Sequence, residues 1–151
     1  MAVRAAGLIF VLDHNLGVHM LEVLRKAMIW PDEQLTSLAE MGYAGGLPDE
    51  EWITHLGKRG GHVAITRDGN ILNAAIRREA WRSSGLGLII LDKKWGMLPR
   101  REWARHILYW WPAMTQRALE GEPGAAWTVA PRIAEPPDFW IRKVTGRGPP
   151  S

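Results

Sequence analysis

The chain has 151 residues, enough for one domain that buries a substantial apolar core without disulfides or a structural metal. It contains no cysteine, which excludes disulfide frameworks, thiolate zinc sites and cysteine nucleophiles, and makes the reducing cytoplasm the simplest expected location. Net charge is +3 but unevenly spread: nine basic and ten acidic residues up to Leu91, then ten basic and six acidic from Asp92 onward. That asymmetry suits a polyanionic partner, or simply a solvated surface.

The first element is the apolar run of residues 7–12, β-prone and uninterrupted as in a strand covered on both faces, ending at Asp13. The N-terminal apolar stretch is too short to span a bilayer and passes into Asp13-His14-Asn15 rather than a small-residue cleavage site, so no membrane segment is expected. Leu16, Met20, Leu21, Leu24 and Met28 then recur at helical spacing, with Asn15 or Asp13 placed to cap. Residues 34–41 read as strand or helical turn. Pro48-Asp49-Glu50-Glu51-Trp52 has the proline and first-turn carboxylates of a helix start, and Trp52, Ile53 and Leu56 form its apolar stripe.

Residues 62–66 form a second buried strand, followed by the turn Arg67-Asp68-Gly69-Asn70 and a helix carrying Ile71, Leu72, Ala75, Ile76 and Ala80. The pattern repeats in residues 87–91, which lead to Asp92, a basic loop and a long helix over residues 100–119 that Pro112 is expected to kink. Residues 126–130 add a strand, and the prolines and glycines beyond describe a tail without a core. Strands alternating with helices imply an α/β fold with a mainly parallel sheet covered on both faces.

All strand-to-helix loops of such a sheet share its carboxyl edge. Asp13 and Asp68 each follow a strand and so belong over that edge, and Asp49 opens a helix that can bring its carboxylate alongside. Crowded carboxylates repel one another unless a cation neutralises them, and hard oxygen ligands suit Mg²⁺ or Mn²⁺. Glu50 and Glu51 are spare carboxylates for a second metal or for proton transfer. Each aspartate also stands where a helix cap or turn residue would stand, and both readings remain open here.

Arg67, Arg77 and Arg78 lie near Asp68 and could engage a phosphate, and Arg77 and Arg78 equally suit the solvated face of their helix. Lys93-Lys94-Trp95 and Arg100-Arg101 pair basic charge with an aromatic, as nucleic-acid grooves and ordinary exposed loops both do. His14 and His62 lack partners at metal-ligand spacing. There is no GxxxxGK[ST] loop, HExxH, GxSxG elbow or GxGxxG, and Asn15 replaces the second aspartate of a DxD phosphatase.

Asp13-His14-Asn15-Leu16 after an apolar strand, the 48–53 segment PDEEWI, Thr66-Arg67-Asp68 and the late Trp110-Trp111-Pro112 together resemble the PIN-like domain family related to VapC-type toxins. The resemblance runs through residues 7–118. It implies a three-layer α/β/α PIN-like sandwich over residues 1–145, with residues 146–151 as a flexible tail. It further implies a metal-dependent endoribonuclease acting on RNA. Such a protein is usually the toxin of a type II toxin-antitoxin pair, inhibited by a cognate antitoxin protein and often a homodimer. Asp13, Asp49 and Asp68 match that family's acidic, metal-binding and catalytic positions, and Glu50 and Glu51 match more weakly. A fourth carboxylate is expected, and Asp92 stands at a strand end without motif support. The alternative is a PIN-like interaction module with little catalysis, whose tryptophans and basic half bind another protein.

Overall fold

The computed structural model describes residues 8–27, 34–131 and 141–144. Five strands run parallel: β1 (Ile9–Leu12), β2 (Leu35–Ser37), β3 (His62–Thr66), β4 (Gly87–Leu91) and β5 (Ala126–Val129). A sixth, β6 (Ile141–Lys143), pairs antiparallel with β5, and the sheet order is β2-β1-β3-β4-β5-β6. The helices are α1 (Val18–Lys26), α2 (Asp49–Arg59), α3 (Ala75–Ser84) and α4 (Arg100–Glu120). The architecture is the expected PIN-like α/β sandwich.

Side chains alternate across a strand, and here alternate residues enter two separate cores. Phe10, Leu12, Val63, Ile65, Ile89, Leu91 and Val129 face α1 and α4, where they meet Met20, Leu24, Trp103, Ile107 and Trp110. Val11, Ala64, Leu88, Ile90 and Ala126 face α2 and α3, where they meet Trp52, Ile53, Leu56 and Trp81. Strands buried on both sides explain the unbroken apolar runs of the sequence. Gly57 sets the approach of α2 to α3: a Cβ added there would overlap the Ser84 side chain and lie 2.9 Å from its carbonyl oxygen.

The tryptophans are chiefly core. Trp52, Trp81, Trp95, Trp103, Trp110 and Trp111 are buried. Four find acceptors for their indole N–H: Trp52 on Asp49 Oδ1, Trp81 on Gly124 O, Trp95 on Val129 O and Trp103 on Trp95 O.

Several boundaries depart from expectation. Leu16 belongs to a 3-10 turn (His14–Leu16), and α1 starts only after Gly17, whose φ of 87° is open to glycine and breaks the helical run. Ile71 and Leu72 precede α3 rather than belonging to it. The guanidinium of Arg77 reaches back to Ile71 O, and that of Arg78 to Leu72 O, holding this stretch as a packed turn. Residues 35–37 are strand, settling the ambiguous segment. The helix α4 continues through Pro112. The chain beyond residue 130 is not wholly tail, because β6 completes the sheet edge. Gly7, Met28 and the expected tail over residues 146–151 lie outside the described residues. No described helix is long and apolar enough to cross a membrane.

Candidate active site

From β1 the chain crosses to β2 on one side and resumes at β3 on the other. Such a reversal in a parallel sheet opens a crevice at the carboxyl ends of the two strands, where ligands bind. Asp13 directly follows β1, and Thr66 ends β3.

Asp13 is only 8% exposed. Its Oδ1 accepts from the His14 N–H over 2.7 Å, and its Oδ2 accepts from the Thr66 hydroxyl over 2.7 Å. Burial pushes its pKa above the ordinary carboxylate value, the Thr66 hydrogen bond opposes that rise, and the nearby charge of Asp49 adds to it. Asp49 opens α2, and its Oδ1 accepts from the Trp52 indole N–H over 2.9 Å. The two carboxylates come from the first strand-to-helix loop and from a helix N-terminus 36 positions later, and the fold sets them within reach of each other's charge.

Thr66 is the hub of the site. Besides donating to Asp13, its hydroxyl accepts from Asn15 Nδ2 at 3.0 Å and from the Asp68 N–H at 3.1 Å, which fills its hydrogen-bonding capacity. Asn15 Oδ1 accepts in turn from the Arg67 N–H. The loops after β1 and β3 are therefore sewn together by Asp13, Thr66 and Asn15. Sequence reading treated Asn15 as a cap and Thr66 as a strand end. Their signal lay only in falling inside the two motifs that flank the crevice.

Asp68 accepts from the Asn70 N–H through Oδ1, the bond that closes its own turn. Among the described residues no three His, Asp or Glu side chains gather to hold a metal ion. The expected meeting of three aspartates is thus corrected: Asp13 and Asp49 interact, while Asp68 serves its turn and joins the site through its backbone. Glu50 and Glu51 line the open groove between α2 and α3, together with His55, Lys58, Ile76 and Glu79. Arg77 is spent on Ile71 O and Asn70 O. Lys93 and Lys94 are exposed; Lys93 packs on Gly69, and the Lys94 N–H donates to Asp92 Oδ1. Asp92 ends β4, with a pKa raised by burial.

The charge of Asp49 raises the pKa of Asp13, and carboxylates are the hard oxygen ligands that Mg²⁺ takes. Mg²⁺ keeps several waters and binds through one or two carboxylates plus substrate phosphates rather than a full protein cage. Each bonded oxygen of Asp13 and Asp49 accepts one hydrogen bond in the structure and retains a lone pair. Their mutual repulsion is what a cation would relieve.

A parallel sheet covered by helices on both faces, with a buried aspartate at its carboxyl-edge crevice, defines a doubly wound α/β domain. The family model described as a PIN-like domain matches residues 8–93, more than half of the chain, and the chain belongs to that family. No curated protein and no solved structure shows significant similarity to it.

Proposed function

We propose that the protein is a metal-dependent endoribonuclease whose centre is the Asp13 and Asp49 pair in the crevice between β1 and β3. The observation that carries this reading is a buried carboxylate, Asp13, at the switch point of the sheet, with the charge of Asp49 near enough to raise its pKa further. Nothing in an apolar core calls for such a pair, and its electrostatic cost is recovered when a cation binds.

Mg²⁺ or Mn²⁺, bound by Asp13 and Asp49 with Asp68 as a further candidate, would supply charge stabilisation at the oxygens of an RNA phosphodiester. The chain's own contribution is orientation. The His14 N–H and the Thr66 hydroxyl fix both oxygens of Asp13, and the Trp52 indole fixes Asp49. Leu12 and Leu16, each 1% exposed, flank Asp13 in the chain and pack into the apolar wall beneath the crevice. The role of toxin, a cognate antitoxin as partner and a homodimeric state follow from the likeness to VapC-type toxins. The competing interaction module drew on the tryptophans, and six of these are buried in the core.

The test is Mn²⁺ titration calorimetry on wild type and on Asp13→Asn, both shown folded by circular dichroism, alongside RNA cleavage. Binding and cleavage in wild type, both lost in the folded variant and cleavage lost in chelator, are expected. Cleavage that survives chelator and the substitution would overturn the proposal.

A further inference from the structure

Two arginines next to the acidic crevice carry charge that no carboxylate neutralises among the described residues. The guanidinium carbon of Arg67 stands 4.9 Å from the centroid of Trp103, and that of Arg100 stands 5.3 Å from the same centroid. The indole is 4% exposed and anchored by its N–H on Trp95 O. One fixed aromatic therefore positions both cations through cation–π attraction. Among the described residues, neither guanidinium meets a carboxylate or any other hydrogen-bond acceptor. Arg67 Nε is buried without a partner. A buried donor left unsatisfied is costly, and a guanidinium offers five donors in a rigid fork.

The pair belongs to the same edge as the aspartates. The Arg67 N–H bonds Asn15 Oδ1, Asn15 Nδ2 bonds the Thr66 hydroxyl, and that hydroxyl bonds Asp13. Arg100 Nη1 passes over Gly17, just beyond the turn that follows Asp13: a Cβ added there would lie 3.4 Å from it. The Arg67 guanidinium reaches toward Gly96 in the loop after β4. A cation from the loop after β3 and one from the first residue of α4 thus border the crevice.

We propose that Arg67 and Arg100, clamped on Trp103, bind backbone phosphates of single-stranded RNA, one phosphate to each guanidinium, and so hold the strand across the acidic crevice. This rests on the reading of the crevice as a phosphodiester-cleaving site. Guanidinium forks match phosphate oxygens two at a time. A polyphosphate backbone presents anions in series, so that one can occupy the clamp while a neighbour reaches the crevice. A single carboxylate ligand could not do both.

The experiment is fluorescence anisotropy with a labelled single-stranded RNA oligonucleotide, the full chain and EDTA, over a series of KCl concentrations. Each phosphate contact contributes a slope of about 0.7 in log Kd against log salt for single strands. Arg67→Gln and Arg100→Gln should each flatten the slope by about 0.7, and the double variant by about 1.4. Replacing both with lysine should keep the slope and weaken binding severalfold, because charge survives while the fork is lost. Wild type that fails to bind, or a folded Arg67→Gln/Arg100→Gln variant with unaltered affinity and slope, would overturn the clamp. The two proposals fail separately: RNA bound through the arginines but never cut removes the nuclease reading alone, and RNA cut by a double variant that binds normally removes the clamp alone.

Discussion

Thr66 donates its hydroxyl to Asp13 Oδ2 over 2.7 Å, joining residues 53 positions apart across the crevice between β1 and β3. The Thr66 hydroxyl oxygen also accepts from Asn15 Nδ2 and from the Asp68 N–H. Thr66→Val keeps the shape and removes all three bonds. It should destabilise the protein by about 1–3 kcal/mol in urea denaturation, since a buried carboxylate and an amide lose partners. RNA cleavage should fall with it, because Asp13 is no longer oriented. A variant as stable and active as wild type would mean that the hydroxyl merely fills space.

Asp13→Asn should separate stability from activity. The folded-state pKa of Asp13 is raised above its ordinary 3.8, so the native state holds its proton more tightly than the unfolded chain does. Stability then declines as pH climbs from the ordinary value toward the folded one, and the full cost is present above that. In metal-free buffer the stability of wild type relative to the asparagine variant should therefore be lower at pH 7 than below the ordinary carboxylate value. Urea midpoints at the two pH values read this directly, and a relative stability of wild type that rises with pH would count against it.

Glu40 should show the opposite sign. The Arg25 guanidinium grips both of its oxygens, at 2.9 and 2.7 Å, Thr36 adds a third bond, and together they lower its pKa to about 2. Its contribution to stability is therefore present above the ordinary value of 4.5 and lost as pH falls from there to about 2. The pair is exposed, so added salt should shrink the effect. Thermal melts of wild type and Glu40→Gln should differ at neutral pH in low salt and converge near the acid end.

Gly57→Ala should destabilise the junction of α2 and α3. The added methyl gains helix propensity, on the order of 1 kcal/mol, but meets the side chain of Ser84 and its carbonyl oxygen at 2.9 Å, and overpacking of this kind costs about 1–3 kcal/mol. A second change, Ser84→Gly, should restore part of the loss. Recovery in the double variant, measured by calorimetry, would identify the contact as the cause.

The strands His62–Thr66 and Gly87–Leu91 were readable to the residue, because strands buried on both faces are written as unbroken apolar runs. The parallel sheet followed from their alternation with helices, and the place of Asp13 at its carboxyl edge followed from the sheet. What periodicity could not express was the irregular backbone. Ile71 and Leu72 have helical spacing, yet they lie in a turn held by the Asp68 carboxylate and by arginines reaching back from α3. Asp68 is confined to that turn for the same reason. Thr66 and Asn15 stayed hidden because a hydroxyl and an amide acquire their roles only when two distant loops meet. The Arg100 and Trp103 pairing with Arg67 depends equally on α4 folding across the edge.

The stretch that defines the family stops at residue 93, before α4 begins. A fragment ending there would carry every aspartate discussed above and would leave the face of Phe10, Leu12, Ile65 and Ile89 covered by α1 without α4, for Trp103, Ile107, Trp110 and Met114 all come later. The acidic crevice is thus inherited from one portion of the chain and made foldable by another. Sequence drift within α4, far from any carboxylate, would reach the chemistry through the tilt of the sheet and the seat of Trp103.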